Sequence, residues 1–326
     1  MRGMTTKDHL LSYLKERQGE WLSGQSLSRR LAISRSAVWK HISRLRQEGY
    51  LIESLPKKGY VLRRRSARLL PNEIREGLCT RSLGKQGIAY FERTDSTNIR
   101  AKDMAQRGVP EGTLAVAEEQ TGGRGRRGRT WYSPPGKGLY ATIILRPTIP
   151  PSEAPRITLL TAVVLAEALR SLTGLEARIK WPNDILIQGR KVAGILTEIS
   201  TEMDAIEYIV VGVGVNINIS RFPVPLKDQA TSLLLETGRP FSRIKVLHEF
   251  LTRYEASYER FKGAGFEGIL DRFRGLSEIL GRRIAVDAVD KTRTGEVQRI
   301  DRDGALLLKD EKGRMHRVYS GDVIYL

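Results

Sequence analysis

Between roughly residues 71 and 275 the sequence alternates nearly uninterrupted apolar runs with longer helical patterns, and this alternation restricts the fold more than any other feature. LYATIILR, DILI, VAGILTEIS and IEYIVVGVGVNINI read as strands, and residues 157–169 read as a core helix. Apolar runs of that length suit strands covered on both faces, and helices are what cover them. The expectation is an α/β layer architecture around one large sheet. Inside it, between TLAVAEE and LYATIIL, lies GGRGRRGRTWYSPPGKGLY, residues 122–140. A segment flanked by strands is a long loop of a compact domain, a place where function concentrates. An RNA-binding tail, the other reading of such an Arg/Gly run, does not fit that position.

The charge distribution separates the front of the chain from the rest. The chain of 326 residues has a formal net charge of +18, and up to Arg65 it holds fifteen Lys/Arg against five Asp/Glu. Basicity gathered there suits a polyanion-binding module or a solvated basic surface, and charge alone leaves both open. The pattern of the segment adds more. Leu10, Leu11 and Leu14 fall on one face of a short helix. A second helix follows Ser23 with Leu27 and Leu31, and a third carries Val38, Ile42 and Leu45 before Gly49. Two β-like runs at 50–53 and 59–62 come next, joined through Pro56, Lys57 and Lys58. Three helices and a hairpin in this order predict a winged helix-turn-helix. Its third helix points Arg35, Ser36, Lys40 and Arg44 away from the core, and the hairpin tip presents Lys57 and Lys58, so these six are the candidate DNA contacts. Trp39 either touches DNA or closes the core, and the bland alternative for the whole module is a protein-contact winged helix. Arg63–Arg65 and Ser66 read as a linker.

Other classes are excluded by composition. Cys79 is the only cysteine, so intrachain disulfides and multi-cysteine metal sites are ruled out, and that thiol reads as a bystander. The longest nearly apolar run, 157–169, contains Glu167 and is too short to span a bilayer. The start, MRGMTTKDHLL, lacks a signal-peptide pattern, so a cytoplasmic protein without membrane association is expected.

Several polar stretches interrupt the apolar pattern: ERTDSTN, Gln120, RIKWPNDILI, GRKVAGILTE and VVGVGVNIN. Glycines inside a strand mark close approach of a ligand or backbone, though each stretch alone also reads as an ordinary turn or tight strand. Neither a GxxxxGK[ST] nor a GxGxxG opening a helix is present, so phosphate handling would lie outside those frameworks.

Taken in order, DSTN, EEQTGGRGRRGRTWYSPPGKGLY, KWPNDI, GRKVAGILTE and GVGVNIN resemble the biotin protein ligases, and with the winged helix in front the chain is similar to the bifunctional ligase/biotin-operon repressors. The resemblance covers nearly the whole chain. It implies an α/β (α+β) multidomain protein: winged helix at 1–66, a central mixed-sheet ligase domain at 67–274, and an SH3-like β-barrel at 275–326. It implies activation of biotin by ATP to biotinyl-5′-AMP, then transfer to a lysine of the biotin carboxyl carrier protein of acetyl-CoA carboxylase. Biotin and ATP, with Mg²⁺ in the ATP complex, enter as substrates, with no permanently bound cofactor and no resident metal.

By the same resemblance Ser96, Thr97, Asn98, Gln120, Arg124, Gly125, Arg126, Lys191, Gly212 and Gly214 bind biotin. Arg126, Arg129, Trp131, Lys180, Asn183 and Asn216 bind ATP, and Phe222 covers the adenine. Lys191, Arg126 and Asp184 are the catalytic set, Asp184 orienting the incoming lysine. The Gly/Arg loop closes over the adenylate as a lid. Operator DNA and a ligand-promoted homodimer are the implied regulatory partners. Lipoate–protein ligase and a non-catalytic biotin-sensing repressor are the neighbouring alternatives.

Overall fold

In the computed structural model, residues 5–287 and 292–326 are described, and they divide into two compact units, Met1–Glu76 and Gly77–Leu326. The first contains α1 (Thr6–Glu16), α2 (Gly24–Leu31), α3 (Arg35–Gln47), the antiparallel hairpin β1 (Leu51–Leu55) and β2 (Gly59–Arg64), and α4 (Pro71–Arg75). Each of the three longer helices starts on a hydroxyl cap. Thr5, Ser23 and Ser34 accept from the backbone N–H of Asp8, Ser26 and Ala37, satisfying donors a helix start leaves open. Leu10, Leu14, Leu27, Val38, Ile42 and Leu45 are fully buried, which gives the expected trihelical core. Trp39 is 57% exposed, so it does not close that core.

The stretch expected as a linker is instead partly structural. Arg63 and Arg64 belong to β2. The unit continues through α4, because Tyr50 donates to Glu73 at 2.6 Å and the Lys15 ammonium reaches Glu73 and Glu76. These contacts tie residues 71–76 into the first unit.

The second unit is built on a seven-stranded sheet in the order β3-β4-β5-β9-β8-β7-β6. Its strands are β3 (Ile88–Thr94), β4 (Leu114–Gln120), β5 (Gly138–Leu145), β6 (Ala177–Lys180), β7 (Asp184–Ile187), β8 (Arg190–Glu202) and β9 (Ala205–Asn216). Only β3 and β4 run parallel, joined through α5 (Thr97–Gln106); the other pairs are antiparallel. Every residue of β5 is buried, as its continuous apolar sequence requires for a strand covered on both faces. One cover is α5, whose Ala101 and Ala105 pack with Ala115, Ile144, Tyr208 and Val210. α6 (Ala154–Thr173) is the core helix expected at 157–169, and it packs against β6 and β8 as well as α8 (Arg243–Ala264) and α9 (Glu267–Leu276). A short α7 (Leu233–Thr237) precedes them.

The C-terminal strands β10 (Arg283–Asp287), β11 (Thr292–Ile300), β12 (Leu306–Lys309), β13 (Met315–Val318) and β14 (Asp322–Tyr325) form an antiparallel sheet in the order β13-β12-β11-β10-β14. Among the described residues no ladder joins β13 to β14, so the expected barrel is open along that seam. Among them, too, no helix is long and apolar enough to cross a membrane.

Candidate active site

Every residue predicted for biotin, ATP or catalysis borders one cavity of about 550 Å³. The sheet assembles it. Ser96, Thr97 and Asn98 open α5 after β3, Gln120 ends β4, Gly212, Gly214 and Asn216 lie on β9, Asp184 opens β7, and Lys191 sits on β8. Lys180 and Asn183 flank the short β6–β7 connection.

The Gly/Arg segment folds into a small hairpin against this group. Gly125 N–H donates to Arg129 O at 2.7 Å and Trp131 N–H to Gly123 O at 2.8 Å, with a bridge between Arg124 and Thr130. The tip turns through Arg127 (φ 56°) and Gly128 (φ 74°), left-handed conformations that glycine adopts without strain. Below the hairpin, the Trp131 indole lies on β9 and β8. A Cβ on Gly214 would stand 2.5 Å from that indole, and one on Gly194 would stand 3.0 Å from it. A Cβ on Gly212 would collide with the Asn98 carboxamide oxygen. The glycines of GVGVN therefore make room for the Asn98 and Trp131 side chains, and both border the cavity.

Among the described residues, five cationic side chains and three carboxylates border the cavity. Lys191 Nζ is 2.7 Å from an Asp184 carboxylate oxygen and 5.3 Å from the centre of the Trp131 ring. Its main chain is pinned on both sides: Lys191 N–H donates to Gln229 O at 2.8 Å, and Lys191 O accepts from Thr231 N–H at 2.9 Å. Arg126 reaches inward, donating to Asn183 Oδ1 at 3.0 Å and Gly321 O at 3.3 Å. Burial pushes the Arg126 guanidinium below its ordinary value, against the pull of Asp322 and Asp184. Burial likewise lowers the Lys180 ammonium, with Asp184 acting the other way. Desolvated cations facing open space are poised to gain from an arriving anion.

Two further residues come from the C-terminal sheet. Asp322 pairs with Arg129 at 2.8 Å, and Tyr325 lies with its ring centre 5.7 Å from Lys180 Nζ. Arg127 is held by Asp287 at 2.7 Å. Sequence reasoning missed Asp322 and Tyr325, since a short, half-exposed strand carries no periodic signal. Phe222 borders the cavity and packs against Tyr132, ring centres 6.2 Å apart. The exposed thiol of Cys79 does not border the cavity. Among the described residues no group of three or more His, Cys, Asp or Glu is placed to hold a metal ion.

In the first unit Arg35, Ser36, Lys40 and Arg44 are exposed on α3, and Lys57 and Lys58 stand exposed at the β1–β2 tip. The neighbouring Arg46 is tied down, donating to Ile52 O and Ser54 Oγ. A recognition helix with exposed cations and a basic wing is the form that meets duplex DNA.

Comparison with known proteins agrees with this geometry. The chain matches the biotin/lipoate A/B protein ligase family over residues 90–216, an HTH domain over 6–61, and the biotin protein ligase C-terminal domain over 279–325. It is 39% identical to the bifunctional ligase/repressor BirA of Bacillus subtilis (strain 168) across 99% of both chains. With the bifunctional ligase/repressor BirA of Escherichia coli (strain K12) it shares 34% identity, over 90% of this chain and 89% of that one. The structure of biotin protein ligase from Aquifex aeolicus in complex with biotin and ATP superposes with a TM-score of 0.65 at 30% identity, covering 74% of this chain and 99% of the other. The chain belongs to the biotin protein ligase family, in its bifunctional ligase/repressor form.

Proposed function

We propose that the cavity joins biotin to AMP and then passes the biotinyl group to a lysine of a biotin carboxyl carrier protein. Two anions must meet for the first step, the biotin carboxylate and the ATP triphosphate. Their repulsion, and the charge that grows on the α-phosphorus during attack, call for fixed cations in a partly desolvated space. Lys191 is placed to serve both partners, and releasing Asp184 frees its ammonium to do so. Arg124, Arg126, Arg129 and Lys180 complete the positive field on the nucleotide side. Mg²⁺ arrives with ATP as part of the substrate. The products are biotinyl-5′-AMP and pyrophosphate.

The second step has a different obstacle. An acceptor lysine with a pKa of about 10.4 is over ~99% protonated at neutral pH, so freeing its amine costs roughly 4–5 kcal/mol. Asp184 already holds one ammonium, that of Lys191, and it is the carboxylate suited to orient the second once the adenylate has drawn Lys191 away. Attack of the amine on the acyl carbon then expels AMP. The Gly/Arg hairpin covers the adenylate and keeps water from it.

The winged helix reads operator DNA as a repressor of biotin synthesis genes, with biotinyl-5′-AMP as corepressor. Two copies on a ligand-promoted homodimer match a pseudo-palindrome, and the adenylate favours DNA binding by favouring the dimer. The supporting observation for the ligase reading is the convergence of residues from separate stretches of chain, 96–98, 120–131, 180–191 and 212–216, on one cation-rich cavity. The test is incubation with biotin, MgATP and a carrier domain, followed by mass measurement, with lipoic acid as the parallel arm. One biotin increment on the carrier is expected, with ATP dependence. A carrier modified by lipoate instead, or by neither acid, overturns the reading.

A further inference from the structure

Glu198 has no assigned role, yet it stands at the outer end of a continuous hydrogen-bond chain that runs into the cavity floor. Its carboxylate pairs with the Lys102 ammonium of α5 and accepts from Asn98 Nδ2 at 2.8 Å. Asn98 Nδ2 also donates to Leu196 O at 3.1 Å. A carboxylate and a carbonyl are both acceptors only, so together they take both amide hydrogens and fix which way the Asn98 amide faces. Its oxygen is thereby turned towards Thr142 Oγ1, 2.8 Å away.

The direction of the next bond is then determined. Thr142 has one hydroxyl hydrogen, and Asn98 Oδ1 cannot donate, so that hydrogen goes to Oδ1. Thr142 Oγ1 is also 2.9 Å from Thr97 Oγ1; with the Thr142 hydrogen on Oδ1, the hydrogen of Thr97 has two acceptors within the floor, Thr142 Oγ1 and Gln120 Oε1. Gln120 Oε1 is satisfied by the Thr97 backbone N–H at 2.8 Å, with the Thr97 hydroxyl farther off at 3.1 Å. Gln120 Nε2 continues to Ser133 Oγ at 3.0 Å. The outcome is a floor on which Thr97 offers lone pairs, not a hydrogen, to whatever occupies the cavity. Asn98, Thr97 and Thr142 are each at most 4% exposed, so water is poorly placed to substitute for a missing link.

We propose that Glu198, held by Lys102, is a positioning residue of the biotin pocket: it locks the Asn98 amide and, through Thr142, sets the cavity floor as an acceptor edge for the N–H groups of a cyclic urea. This rests on the reading of the floor as the biotin side of the cavity. Glu198 touches no substrate; it acts by fixing proton direction in groups that do. Its acceptor edge discriminates against a ureido ring whose nitrogen has lost its hydrogen.

The test is calorimetric binding of biotin, of an N-methyl-ureido biotin analogue and of ATP to the full chain and to Glu198→Ala. Thr142→Val, which deletes only the relaying hydroxyl, gives a second route if Glu198→Ala does not fold. Either variant is expected to weaken biotin about tenfold, equivalent to about 1.4 kcal/mol, to narrow the preference for biotin over the methylated analogue, and to leave ATP affinity in place. Equal losses for biotin and ATP, or an unchanged preference between biotin and its analogue, overturn the lock. A wild-type chain that binds no biotin overturns the pocket reading beneath it, a different result from a variant that keeps wild-type biotin affinity.

Discussion

Replacing Gly214 by Ala tests whether the strand glycines serve the protein's own side chains. The added methyl would stand 2.5 Å from Trp131 Cε2 and Nε1 and 3.0 Å from Cζ2. Reaching an ordinary carbon separation of about 3.5–4.0 Å requires the indole to retreat by about 1 Å. Trp131 cannot do so freely, because its backbone N–H is bonded to Gly123 O at 2.8 Å. Overpacking of this kind costs about 1–3 kcal/mol. In a unit of this size each kcal/mol lowers the thermal midpoint by about 2–4 °C. The assay is a double-mutant cycle of thermal unfolding on wild type, Gly214→Ala, Trp131→Ala and the pair. If the indole is the obstacle, Gly214→Ala costs nothing further once Trp131 is Ala, a coupling of at least about 1 kcal/mol. An equal cost of Gly214→Ala in both backgrounds refutes the reasoning and returns the glycine to a direct ligand role.

The same geometry carries three other expected outcomes. Lys191→Met removes the cation shared by carboxylate and phosphate and is expected to slow pyrophosphate release by about 10²-fold or more, in line with the loss of one preorganised charge; a rate within a few-fold of wild type would remove Lys191 from the reaction. Arg44→Ala on α3 is expected to weaken binding of operator fragments and to reduce the slope of log K against log salt by about 1, read by fluorescence anisotropy across a salt series; an unchanged slope means that Arg44 meets no phosphate. The third concerns acid. Burial alone would raise the Glu76 carboxyl, but hydrogen bonds and charges from Lys15 and Arg65 outweigh it and hold it below its ordinary 4.5. Its contribution to the first unit is therefore fully present above about pH 4.5 and is lost as pH falls through the lower, folded-state value. Unfolding of Glu76→Gln measured from pH 6 to 3 is expected to show a shallower pH slope than wild type, and an identical slope would contradict the assignment.

The sequence made some of this arrangement legible and hid the rest for definable reasons. Helix period places Val38, Ile42 and Leu45 in the winged-helix core, since that signal is local. The ordered motifs bring Lys191, Arg126 and the DSTN residues to one site because each lies near a strand end or in the loop between strands. Hidden features depend on contacts distant in sequence. Glu198 meets Lys102 and Asn98, Asp322 meets Arg129, and nothing in the neighbourhood of any of these residues marks its partner. Gly212 and Gly214 read in the sequence as points of close approach to a strand, and in the fold the Asn98 and Trp131 side chains make that approach beside the cavity. The resemblance set the second domain to begin at residue 67, while contacts such as Tyr50–Glu73, Lys15–Glu73 and Asn72–Asp8 hold residues 67–76 in the first unit.

In the first step this cavity unites a carboxylate with a nucleotide phosphate before any carrier is present. Exchange of labelled pyrophosphate into ATP, measured on the full chain with and without biotin, reads that step alone. Exchange that appears only when biotin is added, and disappears in Lys191→Met, is the expected result. Exchange indifferent to biotin, or none with biotin and MgATP at saturation, would contradict the account.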